Sequence, residues 1–263
     1  MRVHVEGVGL AGPGLANWDA ARPVLAGAAP FEPAPLTLPP VTLLPPAERR
    51  RAGLAVKLAF TVGVEALEQS GRAAEDMATV FTASAGDGDT IHEILNVLAT
   101  PAREVSPTRF HNSVHNAPSG YWAVATGSRA PSTSLGAFDG SFAAGLLDAA
   151  TQAVVDRRPV TLIAYDVPYP EPLHSVRPIA ILFGCALVLT PEATERSLAA
   201  LDIEWSEAAP ATLLPDPALE QLRTGNPAAR ALPLLAALAR GEAAHVVLGG
   251  IEGAAVTVTV TPA

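Results

Sequence analysis

Apolar and polar residues alternate along Val3 to Val8, a period of two that predicts a first β-strand. It is followed by GVGLAGPG, whose Gly7, Gly9 and Gly12 match G-x-G-x-x-G. A dinucleotide site would need a helix at once and an acidic residue closing a second strand about 20 residues on. Pro13 and Gly14 break the chain instead, and the proline-rich stretch from Pro30 to Pro46 cannot supply that strand. From Arg50 to Ser70 the chain is apolar on most faces and predicts a buried helix, closed by Gly71 as a C-terminal cap.

The same reading continues with a Val- and Thr-rich strand over 78–86 and a helix from Asp89 to Leu98, capped near Asp89 or Thr90. The segment 106–127 turns helical toward its end. A strand over Ser132 to Ala137, a helix from Gly140 to Val155 and a strand from Val160 to Tyr165 follow. RPIAILFGCALVLTP predicts a long buried strand, NPAARALPLLAALARG a helix, and AHVVLGGIEGAAVTVTVT two last strands around a glycine turn. Strands alternating with helices predict an α/β fold.

With 263 residues, 49% of them hydrophobic, the chain is long enough to bury a large core. The longest apolar runs, such as Pro178 to Leu189, fall short of the roughly 18 to 20 residues of a membrane span. The N-terminal residues lack the apolar core and small-residue cleavage site of a signal peptide, so a cytoplasmic location is expected. A net charge of −9 argues against a nucleic-acid partner, which clustered Lys and Arg would have to neutralise. Arg49 to Arg51 form the only basic run and read as the solvated start of a helix. The single cysteine, Cys185, excludes a disulfide framework; its apolar strand makes it an inert small hydrophobe.

The chemistry-bearing residues concentrate in two places. In STSLGAFDGSFAAG, Asp139 stands where a strand gives way to a helix, a junction at which a nucleophile gains from the helix N-terminus. Aspartate there can cap the helix that starts at Gly140, or act as a base if it faces a cavity. Ser141 invites a hydrolase reading with His115, but DGSFAAG does not fit G-x-S-x-G. In FHNSVHNAPSGYW, His111 and His115 are spaced to share a helix face, yet no acid or thiol nearby completes a metal site. Phe110, Tyr121 and Trp122 join them in a cluster suited to an interface, an apolar pocket or plain core packing.

The order of these pieces resembles the thiolase-like fold of the β-ketoacyl synthases. VEGVGLAGPG is similar to their opening strand and turn, LAVKLAFTVGVEALEQSG to their first long buried helix, and RPIAILFGCALVLTPEA to the strand after their Arg-Pro. RTGNPAARALPLLAALARG resembles the helix after their Thr-Gly-His, and VVLGGIEGAAVTVTV their last glycine turn and strand. The resemblance implies one layered α-β-α-β-α domain over 1–263, with pseudo-halves of about 1–170 and 171–263. It also implies a second half shortened mainly between Pro191 and Thr224.

Laid over that family, Asp139 falls on the position of the nucleophilic cysteine, Asn226 stands where the first catalytic histidine would be, and GGIEGAAV carries no second one. The resemblance therefore implies a subunit without independent catalysis or cofactor, like the chain length factors that pair with an active ketosynthase. The short form with FHNSVHNAPSGYW is most similar to ketosynthase-like proteins of aryl polyene and xanthomonadin-type pigment pathways. The implied partner is a catalytic β-ketoacyl synthase, with acyl carrier protein met only through it. Phe110, His111, His115, Asn116, Phe138 and Phe142 are the expected lining of the acyl tunnel or of the subunit seam.

Overall fold

The computed structural model describes residues 1–263, the side chain of Ile251 apart. Its strands are β1 (Arg2–Ala11), β2 (Ala78–Thr82), β3 (Ser132–Leu135), β4 (Val160–Asp166), β5 (Phe183–Thr190), β6 (Ala199–Glu207), β7 (Ala244–Ile251) and β8 (Ala254–Pro262). They form one sheet in the order β3-β2-β4-β5-β1-β6-β8-β7, parallel only where β2 pairs with β3 and with β4. The helices are α1 (Trp18–Leu25), α2 (Pro46–Arg51), α3 (Leu54–Ser70), α4 (Gly88–Leu98), α5 (Pro107–Asn112), α6 (Ala117–Thr126), α7 (Ser141–Val155), α8 (Leu173–Val176), α9 (Pro217–Gly225) and α10 (Leu232–Arg240).

Side-chain alternation along the strands splits the interior into two cores. Val80, Leu162, Ala164 and Leu187 face one core with α7, α10 and α1, whereas Phe81, Ile163, Tyr165 and Val188 face the other with α3 and α6. A register shift in β1 between Val5 and Gly7 inserts an extra residue, which keeps Val3 and Val5 on the same face as Val8 and Leu10. Helix α7 lies in the middle layer, against β2 and β4 on one side and β7 and β8 on the other. This mixed α/β layering is the expected thiolase-like fold. Its second half is reduced: Glu204, Thr259 and Thr261 on β6 and β8 stay exposed to solvent.

The glycines of the first turn have a packing role. A Cβ on Gly7 would sit 2.1 Å from the Ala66 carbonyl oxygen, and one on Gly9 1.9 Å from that of Val62. Strand β1 and helix α3 are in backbone contact, which only glycine permits.

Several boundaries differ from the sequence reading. The expected helix from Arg50 to Ser70 is two helices, because Ala52 and Gly53 between them are extended; at Gly53 a Cβ would lie 2.4 Å from the Asp87 Oδ2. The basic run closes α2 instead of starting a helix, which places Arg49 to Arg51 at the negative end of its dipole. Helix α4 begins one residue early, with Asp87 as its cap through a 3.1 Å bond from the Thr90 N–H. His111 and His115 do not share a helix: α5 ends at Asn112, and His115 lies in the turn before α6. Strand β6 and helices α1, α8 and α9 lie outside the elements that the sequence patterns predict. No helix among the described residues is long and apolar enough to cross a membrane.

Candidate functional site

The strand-to-helix junction is a tight turn, Phe138–Gly140, inserted between β3 and α7. Phe138 adopts a left-handed backbone conformation (φ 51°) that a bulky side chain seldom takes. Ser141 holds it there: its hydroxyl donates to the Phe138 carbonyl oxygen (2.7 Å) and accepts from the Ala137 N–H (3.0 Å). Both roles of that hydroxyl are thus spent on the turn, and the residue is buried. An attacking serine needs a base to take its proton, whereas the Ser141 hydroxyl gives its proton to a backbone carbonyl.

Asp139 does not cap α7. The helix begins at Ser141, its cap position is Gly140, and no side chain bonds its first N–H groups. The carboxylate points instead to two arginines from distant segments, with Oδ1 accepting from Arg177 and Oδ2 from Arg230, each at 2.8 Å. Charge explains the outcome, since an ionised carboxylate bonds a guanidinium more strongly than it bonds a neutral backbone amide. The Arg177 guanidinium also lies 3.5 Å above the Phe138 ring. The end of β7 closes over the junction: Gly250 has φ 107°, and a Cβ there would come within 2.6 Å of the Asp139 carbonyl oxygen.

Asn226 is buried beside this cluster, and all of its amide is committed. Its Nδ2 donates to the Asp166 and Ile181 carbonyl oxygens at 3.1 and 2.9 Å. Its Oδ1 accepts from the N–H groups of Ala228 and Ala229. It therefore caps the short helical turn Ala228–Ala231 that leads into α10 and carries Arg230.

Asp166, at the end of β4, is the group sequence reasoning missed. Its Oδ1 accepts from both the N–H and the hydroxyl of Ser84, while the buried Oδ2 has no partner. Burial pushes its pKa up to about 7, against which the Ser84 bonds and the Arg177 charge act. An unfolded aspartate releases its proton near pH 4. The stability tied to this proton is thus full below about pH 4 and is lost as pH rises through about 7. Asp166→Asn is expected to remove that slope, so that the difference in unfolding free energy between wild type and variant changes by a few kcal/mol from pH 4 to pH 8. Denaturant titrations of both chains across that range provide the check.

The remaining expected residues are dispersed. His115 lies 3.3 Å from the Ala83 carbonyl oxygen, and His111 stacks edge-on against Tyr121 at 5.7 Å. Asn116 precedes α6 and is exposed. Phe110 and Phe138 are also exposed, at 68% and 62%, whereas Phe142 is a fully buried core residue. Cys185 is buried in β5, and burial pushes its thiol up and away from reactivity. A cleft of about 630 Å³ lies between the proline-rich strap at Pro39 to Leu43 and the face of α3 that carries Phe60 and Glu65; none of the residues around Asp139 lines it.

A family model described as β-ketoacyl synthase, N-terminal domain, matches residues 22–247. No curated protein matches the chain. Among solved structures, it is similar to a chain of the ketosynthase ApeO in complex with its chain length factor ApeC from Xenorhabdus doucetiae, at 23% identity. That likeness covers 98% of this chain and 99% of the other, with a TM-score of 0.75. The ishigamide ketosynthase/chain length factor is similar at 15% identity over 100% and 99% of the two chains, with a TM-score of 0.74. The type II polyketide complex AntDE:AntF, an acyl carrier protein with its ketosynthase bound to the hexaketide, gives 13% identity, the same coverage and a TM-score of 0.78. With the family model spanning most of its length, the chain belongs to the β-ketoacyl synthase family.

Proposed function

We propose that this chain is a catalytically silent ketosynthase-like subunit, of the chain-length-factor kind, that pairs with an active β-ketoacyl synthase. The observation that carries this reading is the state of Asp139, a carboxylate bonded to Arg177 and Arg230 at the place that matches the family's nucleophile. A carboxylate is a poor nucleophile toward a thioester, and an acyl group transferred to it would give a high-energy anhydride. Asn226, at the matching histidine position, has no free proton acceptor to offer, and GGIEGAAV carries no histidine.

Pairing is supported by the two ends of the sheet. The outer edge of β7 is covered by the chain itself, through bonds between Val247 and Thr212. At the other end β3 closes the sheet with no further strand beside it among the described residues, near exposed Phe138. An uncovered edge strand with apolar neighbours suits a protein partner. The similar solved structures include ketosynthases with a chain length factor, which supports a ketosynthase as that partner. Residues 1–263 then act as one unit with two halves, in the cytoplasm, reaching acyl carrier protein only through the partner.

In this reading the exposed rings of Phe138 and Phe110 contribute to the seam that bounds the acyl tunnel, while Phe142 supports it from the core. Co-expression with the ketosynthase encoded nearest to this chain is expected to give one 1:1 species by size exclusion with mass spectrometry. Within that complex, Phe138→Ala should lengthen the products and Phe138→Trp shorten them, by about tenfold in the ratio of neighbouring lengths, since each two-carbon unit is worth about 1–3 kcal/mol. Unchanged lengths in an intact complex would reduce the role to scaffolding, and separate elution would contradict the pairing.

A further inference from the structure

The cluster around Asp139 carries more positive charge than its own carboxylate offsets. Arg177 and Arg230 each spend one terminal N–H group on Asp139, out of the five N–H donors of a guanidinium. The Nε of Arg230 is buried and has no partner at all. A buried donor left open in this way calls for an acceptor. Asp166, on which the Arg177 charge also acts, is bonded to Ser84 and holds its proton up to about pH 7, so below that pH it supplies little compensating charge. Tyr169, the other titratable group beside Arg177, has its pKa raised by burial and is neutral.

The cluster is also reachable. The side chains of Arg177, Arg230 and Asp139 are 19%, 22% and 33% exposed, under an exposed Phe138 ring. Stacking on that ring fixes the plane of the Arg177 guanidinium, whose in-plane N–H groups beyond those bonded to Asp139 and Tyr169 remain to donate. Two guanidinium groups from separate segments, already converging on the two oxygens of one planar carboxylate, form a site with the shape and charge of an oxyanion receptor.

We propose that Arg177 and Arg230 bind a small oxyanion, a carboxylate or a phosphate group, and that Asp139 is the chain's own competitor for the same donors. The proposal uses the functional reading above only to place the vacated centre. A chain that bound an oxyanion here yet never paired with a ketosynthase would overturn that reading and leave this one standing.

The test is calorimetric titration of the full chain at about pH 6 with inorganic phosphate and, separately, with malonate, at constant ionic strength in chloride. Wild type is expected to bind at least one of them with one site per chain, and Asp139→Asn to bind it at least tenfold more tightly. Arg230→Gln and Arg177→Gln should each weaken binding at least tenfold. Phosphate alone would identify a phosphate group as the ligand, malonate alone a carboxylate. If Asp139→Asn does not fold by circular dichroism, the comparison of wild type with Arg230→Gln decides. Absence of binding beyond chloride in wild type, or binding that survives loss of either arginine, overturns the proposal.

Discussion

Gly9→Ala is expected to leave little folded protein. The added Cβ would lie 1.9 Å from the Val62 carbonyl oxygen and 2.8 Å from its carbon, both backbone atoms that cannot rotate aside. Helix α3 would have to lift from β1, opening the core formed by Ala59, Val62 and Ala66, all of them fully buried. Overpacking that must move backbone belongs at the severe end of single substitutions, about 4 kcal/mol or more. Gly120→Ala is the matched control. Gly120 lies inside α6 with nothing within 4 Å of the place a methyl group would take, so alanine there should raise stability by about 0.5–1 kcal/mol through helix propensity. Thermal unfolding of the soluble fractions separates the two outcomes. Equal stability of Gly9→Ala and wild type would mean that β1 and α3 are not in contact as described.

The second large effect is expected at Asn226. Its four amide bonds hold the ends of β4 and of the Ile181 segment to the turn that carries Arg230. Asn226→Ala strips side-chain partners from two carbonyls and from the Ala228 N–H in a buried site, while the Ala229 N–H keeps its bond to the Asn226 backbone carbonyl oxygen. At about 1–3 kcal/mol for each buried polar group left open, and with partial relaxation, a loss of about 3 kcal/mol is expected. For a domain of this size that lowers the melting temperature by about 6 to 12 °C. The Arg230 bond to Asp139 should loosen with it, visible as faster amide exchange at Ala228 and Ala229. A change below about 1 kcal/mol would contradict this anchoring role.

These two residues also mark what the sequence makes legible. Period-two and helical patterns suffice for most of β1, α3, α7, β4, β8 and α10, because each buries a continuous apolar face. The glycines of β1 can be seen, but their reason cannot: Val62 and Ala66 are more than fifty residues away, and only the packed fold brings their carbonyls to Gly7 and Gly9. Asp139 can be recognised as out of place for a nucleophile. Its partners cannot, because capping is a local interaction, whereas Arg177 and Arg230 stand 38 and 91 residues further on.

Other features leave a trace that is easily passed over. Leu201, Ile203 and Trp205 alternate with Asp202, Glu204 and Ser206, a strand signature in a stretch that the family resemblance reads as shortened connection. Helix α1 is hidden by Pro23 within it. Asp166 is readable as a charged residue closing an apolar strand, an arrangement that is seldom buried without a partner or purpose.

The central claim is that this chain holds no acyl group of its own. The direct measurement is intact-mass analysis of both subunits after the co-purified complex has been incubated with acyl-loaded carrier protein. The acyl mass is expected on the ketosynthase alone, and should disappear when its nucleophilic cysteine is replaced, while the mass of this chain stays unchanged throughout. An acyl adduct on this chain that maps to Asp139 or Ser141 would contradict the claim and make it an enzyme in its own right.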